Sequence, residues 1–372
     1  MIKLQKKLIL ITIYTIIISS LFIPVSFATD KANSVQALQS KLNAAMQARK
    51  TSYSIIYSGK LSTFSKDVTD IFNNVFNADD YLRYVTKRYK CTCVKTNGVT
   101  TVTFALEYLE NASQTTFIKN RVSQILKQII TPDMNDFQKE KAIHDWIVNN
   151  VSYDTTLTQF SAYAGLVSPY KTVCNGYSLL AYKMLNSAGI KTKIIEGKGN
   201  NQSHNWNLVY LDGAWYHLDV VWDDPVPDVP GKVSYNYYNL TDSQIKVNHT
   251  WTKTYPAAET DFYNTITTKI ANNPLTSSIY QGIYDDLGLN LLTTENSASS
   301  QQELSSLIQQ SIQNQEDIIK VRYTNIISIA DDLCTAFYAQ NNVISYSYIS
   351  EDLIRTADTG DAILTLKINY IP

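Results

Sequence analysis

Cysteine is scarce in this chain. Its 372 residues hold only Cys91, Cys93, Cys174 and Cys334, too few for a disulfide-built secreted scaffold. Cys91 and Cys93 stand two apart on an expected strand and share a face. With no His or Cys cluster beside them, they read as packing residues rather than a metal site. Charge of one sign is lacking too, since the net charge is −1. That excludes a broad basic surface, and with it nucleic acid or anionic membrane as the main partner. Beyond residue 28 no run is apolar enough to cross a bilayer. The N-terminus differs. Lys3, Lys6 and Lys7 precede an apolar run from Leu8 to Ile23, then Pro24 and the small-residue site Ser26-Phe27-Ala28. This order predicts a secretory signal over 1–28, cleaved after Ala28, against the alternative of an uncleaved anchor. A secreted or cell-surface protein is expected. Tyrosine is abundant, at 26 residues. Ile, Asn, Lys and Ser are abundant as well, so compositional bias is the plain reading and stacking on cell-wall sugars the sharper one.

Two stretches look alike. Leu38, Leu42 and Met46 at helical spacing precede Tyr53, Ile55 and Tyr57 in strand alternation. Leu304, Ile308 and Ile312 precede Ile319, Val321 and Tyr323 at the same offset. Each continues into a second amphipathic helix, Val68–Phe76 or Leu333–Tyr338. Each ends in two strands, about Gly98 or Gly360. Two small α-β-α-β-β domains are therefore expected at 29–130 and 256–372, either duplicated or independent, around a different middle at 131–255. In that middle, Asp136 caps a helix over Phe137–Asn149. A second helix runs from Val173 to Ser187 and stops at Gly189. Strands follow at Lys191–Glu196, His204–Leu211 and Ala214–Val221. After Pro256 the chain reads as a polar linker.

Thr172 as an N-cap would place Cys174 in the first turn of its helix. There the unpaired N–H groups and the dipole favour a thiolate and an oxyanion. Gly176 would keep a side chain away from the sulfur. A buried core cysteine is the ordinary alternative. Asp212-Gly213 reads as a two-residue hairpin turn. Its register pairs Leu211 with Ala214 and Trp206 with Asp219, so His204, Trp206, His217 and Asp219 share a face. A carboxylate on one imidazole nitrogen fixes the tautomer of a general base. Either His204 or His217 could be the one that Asp219 orients, and a bulge at the turn would break the arrangement.

Cys174-Asn175-Gly176-Tyr177, His204-Asn205-Trp206-Asn207 and Asp212 through Asp219 together resemble the transglutaminase-like superfamily, nearest its secreted bacterial members. Lys141-Ala142-Ile143-His144-Asp145-Trp146 and Tyr153-Asp154 match the helix ahead of its cysteine. The resemblance covers about Thr131 to Trp251. It implies an α+β, papain/transglutaminase-like core, with the Cys helix packed on an antiparallel sheet and flanked by the two small domains. It also implies a Cys174, His204, Asp219 triad, which chooses His204 over His217, and a structural role for His144. Trp206 is expected to pack on the His–Asp pair. Tyr163 and Tyr170 are candidate oxyanion donors. Asp223, Asp224 and Asp228 lack calcium-ligand spacing and read as a solvated loop. No metal or cofactor is expected. The implied chemistry is acyl transfer or amide hydrolysis on an extracellular protein or peptide through a Cys thioester. A non-catalytic extracellular binding or scaffold protein on the same fold is the alternative from another class, and a cell-wall sugar-binding protein a third.

Overall fold

Apolar periodicity builds the first elements. Leu38, Leu42, Ala45 and Met46 form the buried stripe of helix Val35–Gln47, and the Ser34 hydroxyl caps it by accepting the Ala37 N–H. Tyr53, Ile55 and Tyr57 point inward along strand Ser52–Tyr57. The design returns near the C-terminus. Ser300 caps helix Gln301–Gln313 over Leu304, Ile308 and Ile312, and Ile319, Val321 and Tyr323 line strand Ile318–Tyr323. The offset between the copies is the same at cap, helix and strand. It extends to a two-residue parallel strand ahead of each, Lys31–Ala32 beside Ile56–Tyr57 and Ser297–Ala298 beside Arg322–Tyr323. Arg49 and Gln315, both at positive φ, follow the two helices at matching places. Sheet order agrees as well. Ser52–Tyr57 lies beside Val99–Tyr108, which lies beside Thr86–Thr96; Ile318–Tyr323 lies beside Ala362–Tyr370, which lies beside Val343–Asp352. The two stretches thus share caps at one constant offset, and they share element order and sheet order.

The computed structural model describes residues 30–272, 274–338, 340–356 and 360–371, with backbone alone at 10–12. The expected secretory signal and its Ser26-Phe27-Ala28 site lie outside the described residues, save for that short backbone stretch. No helix among the described residues is long and apolar enough to cross a membrane. Contacts divide the chain into two compact units, Met1–Asp133 with Asn150–Gly189, and Met134–Asn149 with Ile190–Pro372. The expected middle segment 131–255 is shared between them.

The first unit joins the first repeat to the Cys helix, Cys174–Ser187. Helix Ala112–Ile129 belongs to it, closed by a capping box between Asn111 and Gln114 and buried through Ile118, Val122 and Ile125. The sequence expectations passed over this helix. A short helix, Asp80–Val85, grips the Cys helix. The Lys183 ammonium lies 4.1 Å from the centroid of the Tyr81 ring, and the Tyr81 hydroxyl donates to buried Glu110 at 2.7 Å.

The second unit holds helix Asp136–Asn150 and a four-stranded antiparallel sheet in the order Ala214–Leu218, Gln202–Leu211, Thr192–Gly199, His249–Trp251. Leu211 pairs with Ala214 and Tyr210 with Trp215, as the hairpin register predicts. Asp212 and Gly213 both have positive φ, the conformation of a type I′ turn. The stretch expected as a polar linker is largely two helices, Phe262–Asn272 and Ser277–Asp286. They bury only Phe262, Ile266 and Ile283. The second repeat reaches the sheet through the connection between its last two strands. Ile354 enters the core formed by Ile195, Trp206, Leu208 and Leu240. The buried Arg355 donates to the carbonyls of Tyr238 at 2.6 Å, Tyr235 at 3.3 Å and Asn239 at 3.5 Å.

Candidate active site

Cys174 is the first residue of its helix and is half-buried. The cap is Val173, in extended conformation and without a side-chain cap bond. Thr172, expected in that role, instead donates its hydroxyl to the carbonyls of Gln159 and Ser161, both at 3.1 Å. The reason is the strap from Asp154 to Ser161, which folds back along the helix start. Asp154 organises it by accepting the N–H groups of Thr156, Thr158 and Gln159 at 2.8–3.0 Å. Burial opposes the Asp154 charge, but the bond from the Thr156 hydroxyl and then these N–H groups outweigh it and hold the carboxyl well below the usual range. Gly176 is required by the same packing rather than by access to sulfur. A Cβ there would stand 1.8 Å from Thr172 Oγ1 and 2.7 Å from the Ser161 carbonyl. Asn175 ties the helix start to the strap through the Phe160 carbonyl at 2.8 Å. Burial first, and then the charge of Asp154, push the Tyr153 hydroxyl up.

The remaining cysteines differ from Cys174 in setting. Cys91 is buried, its thiol pushed up to about 12 mainly by burial. Cys93 is half-buried and Cys334 exposed. Of the two tyrosines named as oxyanion candidates, Tyr170 stands at positive φ. The Tyr163 ring packs edge-on against Phe117, with centroids 5.4 Å apart, and Tyr170 projects into solvent.

In the second unit the hairpin carries His204 on its longer strand. Strand Ala214–Leu218 stops short of the expected Val221, because Asp219 begins a turn. Its Oδ1 accepts the N–H groups of Val221 at 3.2 Å and Trp222 at 3.3 Å, and its own N–H donates to the Tyr237 carbonyl. This turn aims Oδ2 at His204 Nε2, 2.6 Å away. His204 is 7% exposed and Asp219 fully buried. Burial alone would raise the Asp219 pKa. The charge and hydrogen bond of His204, then those of His249, outweigh it and hold the carboxyl well below the usual range.

His217 is separated from this pair. The Trp206 indole donates to its Nδ1 at 2.9 Å, and its Nε2 faces Asp242 at 2.8 Å. Burial pulls its pKa down despite Asp242, so it is a neutral, fully bonded structural histidine. Trp206 stacks on His204, with centroids 5.8 Å apart and planes 16° apart. Gly199 leaves room beside them, since a Cβ there would meet the Trp222 ring at 2.6 Å.

His249 is a site residue that the motifs did not point to. Its Nε2 lies 3.1 Å from Asp219 Oδ2. It sits on a three-residue strand and reaches the pair only through pairing with Gly199, so no local spacing marks it. Among the described residues, His204, Asp219 and His249 are the one such group with ligand atoms all within 4.8 Å. Two ligands of a tetrahedral ion would stand about 3.3 Å apart, given bonds of about 2.0 Å. The 2.6 Å separation is therefore a hydrogen bond, and the group is a bonded triplet.

A second buried network lies behind the site. His144 faces Asp145 at 3.0 Å and Asp223 at 3.2 Å. Burial opposes its charge, but the two carboxylates raise its pKa to about 9. Asp223 also accepts the Tyr237 N–H at 2.8 Å. Asp223 and Asp224 are thus buried parts of the fold, contrary to the expected solvated loop, and Asp228 alone of the three is exposed.

Residues 123–220 match the model of the transglutaminase-like superfamily, and the chain carries a domain of that superfamily. The matched residues include Cys174, His204 and Asp219. The chain is similar to a kyphoscoliosis peptidase from Mus musculus, 28% identical over 135 residues, or 32% of this chain and 20% of the relative. A kyphoscoliosis peptidase from Homo sapiens is 28% identical over 144 residues, or 34% and 22%. The chain spans about a fifth of the length of these relatives. A crystal structure of a TGase shares 14% identity, with a TM-score of 0.28, over 56% of this chain and 63% of the other.

Proposed function

We propose that this protein is an exported cysteine enzyme that performs acyl transfer or amide hydrolysis on protein or peptide substrates. Cys174 is the nucleophile, His204 its base and Asp219 the orienting carboxylate. The observation that carries the proposal is the 2.6 Å bond from His204 Nε2 to a buried, charged Asp219. That bond assigns Nε2 to the carboxylate and makes Nδ1 the nitrogen that takes the thiol proton. Cys174 stands at a helix start without a side-chain cap, where unpaired backbone N–H groups can receive the oxyanion of an attacked carbonyl.

The thiolate attacks the carbonyl carbon of a carboxamide or peptide bond. The C–N bond breaks, the leaving amine takes the proton from His204, and a thioester remains on Cys174. An amine acceptor then gives a new amide, or water gives an acid, and either restores the thiol. The name peptidase on the curated relatives supports water as acceptor. The apolar leader supports export, and so an extracellular substrate.

The test compares full-length wild type with Cys174→Ala on a glutamine-donor and lysine-acceptor peptide mixture, read by mass spectrometry. Crosslinked or hydrolysed product from wild type alone is the expected result. Equal product from both would sink the proposed nucleophile. Thiol labelling should be done in a Cys334→Ser background, because Cys334 is exposed.

A further inference from the structure

His249 lies outside the residues matched to the superfamily. It is fully buried, and its ring is held among aromatic neighbours, 4.4 Å from Trp222 and 5.0 Å from Trp206 between centroids. Its Nε2 faces the same Asp219 oxygen that faces His204. A carboxylate oxygen offers only lone pairs, so both imidazoles must present an N–H to it. The groups behind His249 permit this. Its Nδ1 lies 2.6 Å from Asn248 Oδ1, and Asn248 Nδ2 donates to the Tyr237 hydroxyl at 2.7 Å. With the amide nitrogen toward Nδ1 and the Tyr237 O–H donated to the amide oxygen, neutral His249 donates from Nε2. With the amide oxygen toward Nδ1, an imidazolium donates from both nitrogens. The two settings place the same heavy atoms, and each aims Nε2–H at Asp219.

We infer that His249 is a positioning residue for the His204–Asp219 pair, a second imidazole donor that sets how much of the carboxylate charge reaches His204. Its part in a reaction rests on the acyl-transfer proposal above. The bonded partners of the Asp219 side chain among the described residues are His204, His249 and the N–H groups of Val221 and Trp222. Other titratable groups that act on the cluster are Asp223 and Tyr237 from the loop beyond the hairpin, and His217 from the hairpin itself. An N–H on Oδ2 neutralises part of the carboxylate charge. Its removal leaves the whole charge to His204 and favours the imidazolium, so the His204 pKa rises.

Full-length protein with 13C-labelled histidine, titrated by NMR, tests this. His249→Leu should raise the His204 midpoint by roughly 0.5–1 unit, whereas His249→Gln, which retains an N–H donor, should stay within roughly 0.3 of wild type. A folded His249→Leu protein with an unmoved midpoint would overturn the inference. Equal movement in both variants would overturn it too, since packing alone would then be at work. Where His249→Leu does not fold, Asn248→Ala, which unseats the His249 ring from behind, should give a smaller upward shift, and no shift counts against the role. A shift in a protein whose wild type makes no Cys174-dependent product supports the positioning and strikes only the acyl-transfer proposal.

Discussion

The two repeats share a scaffold and differ in what has been added to it. In the first, the extra element is helix Asp80–Val85, inserted before strand Thr86–Thr96, and it bears on the Cys helix. In the second, the extra element is the connection from 353 to 361, which carries Ile354 and Arg355 into the sheet that holds His204 and Asp219. At the place of that connection the first repeat has only Asn97-Gly98, a tight turn with positive φ at both residues. One small α+β frame thus serves two tasks. The common helix and strands supply stability, and a short local addition supplies the grip on one functional element.

Substitutions at matched positions would break or sharpen this comparison. Leu38→Ala and Leu304→Ala empty equivalent, fully buried sites. Each should cost about 2–5 kcal/mol in denaturant unfolding. A tenfold smaller loss at one position would end the claim that the frames are equivalent. Arg355→Met takes the donor from the buried carbonyls of Tyr238 and Asn239 and should cost about 2–4 kcal/mol, with the imidazole spectrum of His204 perturbed as well. Asn97→Ala in the first repeat should leave that spectrum untouched. For pH, the folded pKa of His144 is raised from 6.5 to about 9. Its contribution is therefore fully present below 6.5 and is lost as pH climbs through about 9. Wild type should lose on the order of 3 kcal/mol across that window, and His144→Gln should flatten the curve. The smallest effect belongs to Gly98→Ala. The space around it is open but φ is +81°, so strain alone should cost about 1 kcal/mol.

Much of this arrangement was legible in the sequence, for physical reasons. Period-matched leucines and alternating tyrosines announced the repeats, because each face is buried against a single core. Asp212-Gly213 announced the hairpin, because few residue pairs accept its dihedrals. Helix Ala112–Ile129 could have been read from Asn111, Gln114 and the spacing of Ile118, Val122 and Ile125. Features fixed by distant chain segments were not legible. The strap that displaces Thr172 from its capping role is one, and the burial of Asp223 against His144 is another. His249 is the clearest case, since only a long-range strand pairing brings it to Asp219.

Asp219 ends with both oxygens fully engaged, Oδ1 by two backbone N–H groups and Oδ2 by two imidazoles. A proton could settle on it only by evicting one of those donors. The residue is thereby a fixed counter-ion and not a carrier of protons, and any change of charge in the pair takes place on the imidazole. Its pKa lies below the ordinary 3.8, so the stability it gives is present above that pH and is lost as acid carries the solution below it. Acid that finally protonates Asp219 would release the turn through Trp222 together with both histidine rings. Loss of the site and local melting of the hairpin end would then be a single event.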